Sequence, residues 1–136
     1  MYTTIEQAKE LVEVGLNPET SDMHYNEYII DGKSTIDEYP QININSTKIV
    51  EFKHPCWSLN ALLTVLQKAN VWVCVQYLPI TFDDNVKAIN NVWDVECEYS
   101  YLSFIVRNEN LFTAVYESVC RFIRIPDNNI VKPNKQ

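Results

Sequence analysis

The sequence predicts an α+β domain: two layers, with a largely antiparallel sheet and about three helices packed on one side. Three observations lead there. Trp93, Val95, Cys97 and Tyr99 alternate with Asp94, Glu96 and Glu98, the period-two pattern of a strand with one packed face and one wet face. Three other stretches repeat apolar residues at helical spacing, and the order helix, strands, helix, strands, helix suits helices gathered against one antiparallel sheet. With 136 residues, 46% of them hydrophobic and 12% aromatic, the chain can bury one core without disulfides or metal. A single domain over residues 1–126 is expected, followed by a polar, mobile tail over 127–136.

The first helix is expected over residues 4–14. Thr3 with Glu6, or Thr4 with Gln7, offers a capping box, and Ile5, Ala8, Leu11 and Val12 form its apolar stripe. Gly15 suits a left-handed C′ position that would bring Leu16 onto Leu11, and Pro18 blocks continuation. Residues 17–26 are rich in turn formers and read as a loop or a single 3₁₀ turn. Tyr28-Ile29-Ile30 before Asp31-Gly32 reads as a short strand entering a turn. Residues 34–40 have no clear pattern, whereas Ile42 and Ile44, then Ile49 to Phe52, suggest one or two further strands.

The central helix should start at Ser58, a good N-cap, with Trp57 at N′ and Leu62 at N4 in the spacing of a hydrophobic staple. Its stripe is Leu59, Leu62, Leu63, Leu66 and Ala69, and Asn70 can end it. Val71 to Leu78 is apolar at nearly every position, which reads as a strand covered on both faces and closed or bent by Pro79. Phe82 to Asn91 reads as a loop. The alternating strand at 93–99 should pair as a hairpin with Leu102–Val106. Asn108 or Asn110 then caps the last helix, whose broad apolar surface (Leu111, Phe112, Val115, Tyr116, Val119, Phe122, Ile123) argues for deep burial before Pro126.

The net charge of −7 is placed unevenly. Residues 1–52 carry ten acids against three lysines, and the remaining 84 residues carry eight of each sign. An acidic chain without a basic stripe is a poor binder of nucleic-acid backbones; Arg121, Arg124, Lys132 and Lys135 make only a small cluster, best read as a solvated helix end. The N-terminus lacks the pattern of a signal peptide and no apolar run suits a membrane span, so a cytoplasmic protein is expected. In that compartment Cys56, Cys74, Cys97 and Cys120 read as small buried hydrophobes rather than two disulfides.

Signatures of catalysis are sparse. With two glycines, no phosphate-cradling glycine loop can be built. His54 beside Cys56 at a helix start is the nearest approach to an activated thiol, but packing explains Cys56 equally. His24, His54 and the cysteines lack zinc-site spacing. Asp94, Glu96 and Glu98, with Asp83-Asp84 nearby, are of the types that can divide acid and base roles or hold a hard cation; the same pattern equally suits the wet side of a sheet, or a face that meets a basic partner. No catalytic, cofactor or metal residue is assigned on this basis, and no cofactor is expected.

The run Thr4-Ile5-Glu6-Gln7-Ala8-Lys9, then Gly15-Leu16-Asn17-Pro18-Glu19-Thr20-Ser21-Asp22-Met23, and later Pro55-Cys56-Trp57-Ser58-Leu59-Asn60-Ala61-Leu62-Leu63, resembles a group of short proteins abundant in Bacteroides-type gut bacteria, their prophages and mobile elements. The likeness covers the first half; the last helix shares only its pattern. No activity comes with the group. The resemblance implies a phage-related, cytoplasmic and non-enzymatic protein, and the acidic balance adds a basic protein partner. The alternative expectation is a small enzyme with a cysteine or carboxylate site in a cleft.

Overall fold

The computed structural model describes residues 1–44 and 53–126, and within them the chain is α+β. Helix α1 (Ile5–Val14) is capped by Thr4, whose side chain accepts from Gln7 N while Gln7 closes the box in return. Gly15 ends it at φ 114°, with its N–H donating to Val12 O and that of Leu16 to Leu11 O, the paired bonds of a Schellman ending. A 3₁₀ turn (Pro18–Thr20) follows, and then β1 (Met23–Ile30), which starts inside the stretch expected to be loop. The turn formers there are spent by Ser21, and the strand is held by neighbours far along the chain rather than by its own propensity.

β1 is the hub of the first sheet. It pairs antiparallel with β2 (Lys33–Ile36), β3 (Gln41–Ile42) and β4 (Lys53–Cys56). Asp31 and Gly32 both have positive φ in the two-residue link to β2, as a type I′ hairpin requires. Residues 34–36, without a clear pattern in the sequence, therefore belong to a strand. The expected strand over Ile49 to Phe52, and the tail over 127–136, lie outside the described residues.

Helix α2 (Leu59–Lys68) is capped by Ser58 and buries Ala61, Leu62, Val65 and Leu66. Asn70 ends it at φ 59°, donating to Gln67 O while Val71 N reaches Leu66 O; an asparagine takes the left-handed position that Gly15 takes after α1. The second sheet is a meander of β5 (Trp72–Phe82), β6 (Ala88–Tyr99) and β7 (Leu102–Asn108). Helix α3 (Leu111–Ile123), capped by Asn110, buries nine of its 13 residues. It packs on β6, β7 and α2, and its Tyr116 hydroxyl donates to Glu10 on α1.

Two expectations change here. The strands form two sheets rather than one, because β1 and its partners associate with α1 through β4 while α2 and α3 cover the meander. And β5 is not a strand covered on two sides: it is an outer strand that continues through Pro79 to Phe82, and it leaves Trp72 53% and Val75 41% exposed. The expected loop over 82–91 shrinks to residues 83–87, because β5 and β6 keep pairing as far as Phe82 with Ala88.

Between the sheets and helices lies one knot of contacts. Trp57 is fully buried and its indole N–H donates to Thr20 Oγ1 at 2.9 Å. Its backbone N–H donates to Thr3 Oγ1, and its carbonyl accepts from Thr3 N. Trp57→Ala should remove both the packed ring and the Thr20 bond, costing about 3–5 kcal/mol in denaturant unfolding. Trp57→Phe should cost clearly less, since most of the packed volume remains. Equal stability of all three proteins would show the ring to be dispensable.

Candidate interaction surface

Several of the residues that the sequence marked for chemistry have structural tasks. Cys56 ends β4 with its side chain fully buried; its thiol donates to Thr3 O and accepts from Thr3 Oγ1. Burial raises the Cys56 pKa, and no basic group offsets it, the reverse of what a thiolate nucleophile needs. His54 turns instead to Glu27, Nε2 to Oε2 at 3.0 Å, and Ser34 also donates to that carboxylate. The Ser34 bond first and His54 second hold Glu27 below its usual pKa. The buried His24 meets Asn43 through Nδ1 at 2.6 Å. All four cysteines are free thiols; Cys56, Cys97 and Cys120 are buried, and Cys74 is half-buried.

The carboxylates divide likewise. Asp83 accepts from the backbone N–H of Asn85 and Lys87, folding the β5–β6 tip onto itself. Asp94 is clamped bidentately by Arg107 on β7, at 2.7 and 3.0 Å. Among the described residues, no three His, Cys, Asp or Glu side chains gather as a metal site. Glu96 and Glu98 enter no ion pair among these residues. The small C-terminal basic cluster is partly engaged: Arg121 donates to Ile105 O and lies over the Phe104 ring, and Arg124 meets Glu10.

What remains uncommitted is a surface of the meander. Register fixes its two faces. Val95, Cys97 and Val106 lie on the face against α3. The opposite face carries the rows Trp72–Glu98–Ser103, Cys74–Glu96–Ile105 and Gln76–Asp94–Arg107, then Leu78–Val92. Of these residues only Val92 is buried. A half-buried carboxylate, Glu96, and an exposed one, Glu98, thus lie between apolar flanks, Trp72 and Ile105.

The far end of the hairpin adds to this surface. At Pro79 and Asn91 the ladder skips a pair, with Asn91 at φ 57° and its side chain accepting from the Tyr77 hydroxyl at 2.8 Å. Beyond that break β7 no longer accompanies the hairpin, since its last partner is Trp93 opposite Asn108. The two-stranded arm carries Ile80, Phe82 and Val86 exposed. The proline at the middle of the run was the available signal that β5 is an outer strand; hydrophobicity alone pointed the other way.

The edge of β5 has a definable hydrogen-bonding pattern. A two-residue link, Ser100-Tyr101, joins Tyr99 to its partner Leu102, so that closing pair exchanges both backbone bonds. Counting back, even-numbered residues of β5 face β6, and Val73, Val75, Tyr77, Pro79 and Thr81 turn their backbone groups outward. The Arg121 bond to Ile105 O agrees, because the same count turns Ile105 outward on β7. Pro79 therefore costs no ladder bond. Among the described residues, β5 pairs with β6 alone.

Comparison with known proteins leaves the surface to be read on its chemistry: no family model matches the chain, and no curated protein or solved structure matches it.

Thiol reactivity provides a direct check. In the native protein Cys74 should be labelled by a thiol reagent, while Cys56, Cys97 and Cys120 react only on unfolding. Burial pushes the Cys97 thiol up to about 11 from 9.0. A raised thiol pKa stabilises the fold fully below the unfolded value and loses that stabilisation as pH climbs through the folded one. Wild-type stability should therefore fall between about pH 9 and 11, and Cys97→Ala should fall less over that window. Native labelling of Cys56 at the rate of a free cysteine would return it to consideration as a nucleophile.

Proposed function

We propose that this is a small acidic, non-enzymatic protein-interaction module that acts in the cytoplasm by binding a basic protein. The observation that carries the reading is the open face of the meander, where half-buried Glu96 and exposed Glu98 enter no ion pair among the described residues and lie between Trp72 and Ile105. Carboxylates steer and orient a cationic partner, and the exposed apolar side chains flanking them provide contact area. The tasks already held by Cys56, Asp83 and Asp94 favour this over a thiol or carboxylate enzyme. The resemblance to short proteins of Bacteroides-type bacteria and their prophages suits an inhibitor or immunity role in a phage-related setting. Among the described residues, no helix is long and apolar enough to cross a membrane.

The test is retention of host proteins on the immobilised chain at low and high salt, compared with the double reversal Glu96→Lys/Glu98→Lys. A basic protein should be retained at low ionic strength, released as salt screens the contact, and lost by at least about tenfold in the reversal, on the scale of desolvated charge pairs. Identical retention by the wild type and the reversal would remove the face from the proposal.

A further inference from the structure

We infer that two copies of this chain pair through the outer edges of their β5 strands, joining the two meanders into one six-stranded antiparallel sheet. This concerns the edge of β5 and shares only Trp72 with the open face, so it can be tested apart from the basic-partner reading.

The argument starts from composition. Residues 71–82, Val-Trp-Val-Cys-Val-Gln-Tyr-Leu-Pro-Ile-Thr-Phe, contain no charged side chain in a chain with 21% charged residues and a net charge of −7. Exposed sheet edges are commonly guarded by lysines, inward charges or short strands. This edge is 11 residues long and has only Pro79 as a guard. Its outward backbone groups at Val73, Val75 and Tyr77 lie on the α2 side of that proline, and Trp72, Val75 and Tyr77 are all exposed. A basic partner would find no charge here to recognise. A second acidic copy meets no like charge at the seam.

Antiparallel edge pairing about a two-fold axis is self-complementary by construction, and the outward residues define the register. An axis at Val75 sets Val75 opposite its own symmetry mate and Val73 opposite Tyr77, all with backbone groups facing the seam. Trp72 then falls opposite Leu78 and Cys74 opposite Gln76. These are aromatic, β-branched and neutral polar pairs, the kinds that stabilise cross-strand contacts. Pro79 falls opposite Val71, at the limit of the paired segment, where its missing N–H costs little. The nearest carboxylates, on β6, are three strand spacings from those of the other β6, about 14 Å. That exceeds the screening length of about 8 Å at physiological salt.

A groove of about 500 Å³ beside this edge is lined by Leu63, Gln67, Val71, Val73 and Val75, apolar surface that a second copy would cover. With about seven residues paired per copy, the contact falls in the smallest interface class, below about 1,200 Å² in total. A dimer with a dissociation constant of tens of micromolar, roughly, fits that size.

Sedimentation equilibrium on the purified full chain tests this, with no partner present. From a subunit mass of 15.9 kDa, the mass should rise toward twice that value between about 5 and 300 µM, a range set to bracket such a constant. Val75→Lys places two ammonium groups face to face on the axis and should weaken the dimer by about tenfold or more. Val75 is 41% exposed, so the circular dichroism of that variant should match the wild type. Ile105→Lys, on the open face, should leave the dimer intact. A wild-type chain monomeric throughout, or a dimer insensitive to Val75→Lys, overturns the pairing. So does a monomer that loses its basic partner on Val75→Lys, because the edge then belongs to another protein. A monomeric chain that still binds a basic protein through Glu96 and Glu98 leaves the proposed function standing.

Discussion

Most of this molecule depends on how Thr3 and Trp57 are joined. Thr3 is fully buried in an extended segment before α1, and it exchanges backbone and side-chain bonds with Trp57 across 54 residues of sequence. The Thr3 carbonyl also receives the Tyr25 hydroxyl, at 2.8 Å, and the Cys56 thiol. On the other side of Trp57, Asp22 accepts from both the backbone N–H and the hydroxyl of Ser58, while Thr20 takes the indole N–H. One short stretch thereby ties the N-terminus, the 3₁₀ turn, β1, β4 and the start of α2. These polar groups lie in or beside the core, where an unmade bond would carry its full desolvation cost. The bonds therefore specify one arrangement of five segments, whereas hydrophobic burial alone would tolerate several.

That knot explains why the proposed interaction surface lies elsewhere. A histidine, a thiol and a helix N-terminus close in sequence suggest reactive chemistry, but here the thiol is consumed by Thr3 and the Ser58 cap is shared with Asp22. His54 reaches the neighbouring β1 to meet Glu27. The polar residues thus join the N-terminal segments, and the meander keeps an open face, unpaired outer edges among the described residues and a two-stranded arm. α3 covers β6 and β7 and α2 reaches part of β5, yet Val75 and Tyr77 are exposed even on the packed side.

Local signals were legible in the sequence wherever one residue decides a backbone state. Gly15 and Asn70 both end helices in the left-handed conformation, Ser58 and Asn110 both cap, and Asp31-Gly32 turns β1 into β2. The alternation at 93–99 also mapped correctly onto two faces, because a half-buried strand writes its environment into a period of two. Thr3 was legible only as a possible cap; its burial depends on residues more than 50 positions away, which no local window contains. β1 was shortened for the same reason, since Met23 to Asn26 are ordinary turn-region residues until β3 and β4 arrive to pair with them.

β5 is the instructive failure. A run of valines and aromatics lacking any charge reads as a strand shielded on both faces, because burial is the usual reason for such a composition. The structure leaves it at the margin, where the same composition has to be explained by something other than the core of one chain. Pro79 separates the two cases: its outward-facing nitrogen is harmless on an open edge and would break a ladder inside a sheet. Apolar residues withheld from the core cost solubility wherever they face water. Their placement along an outer edge of the meander that no described segment pairs is the ground on which the proposed association through β5 rests.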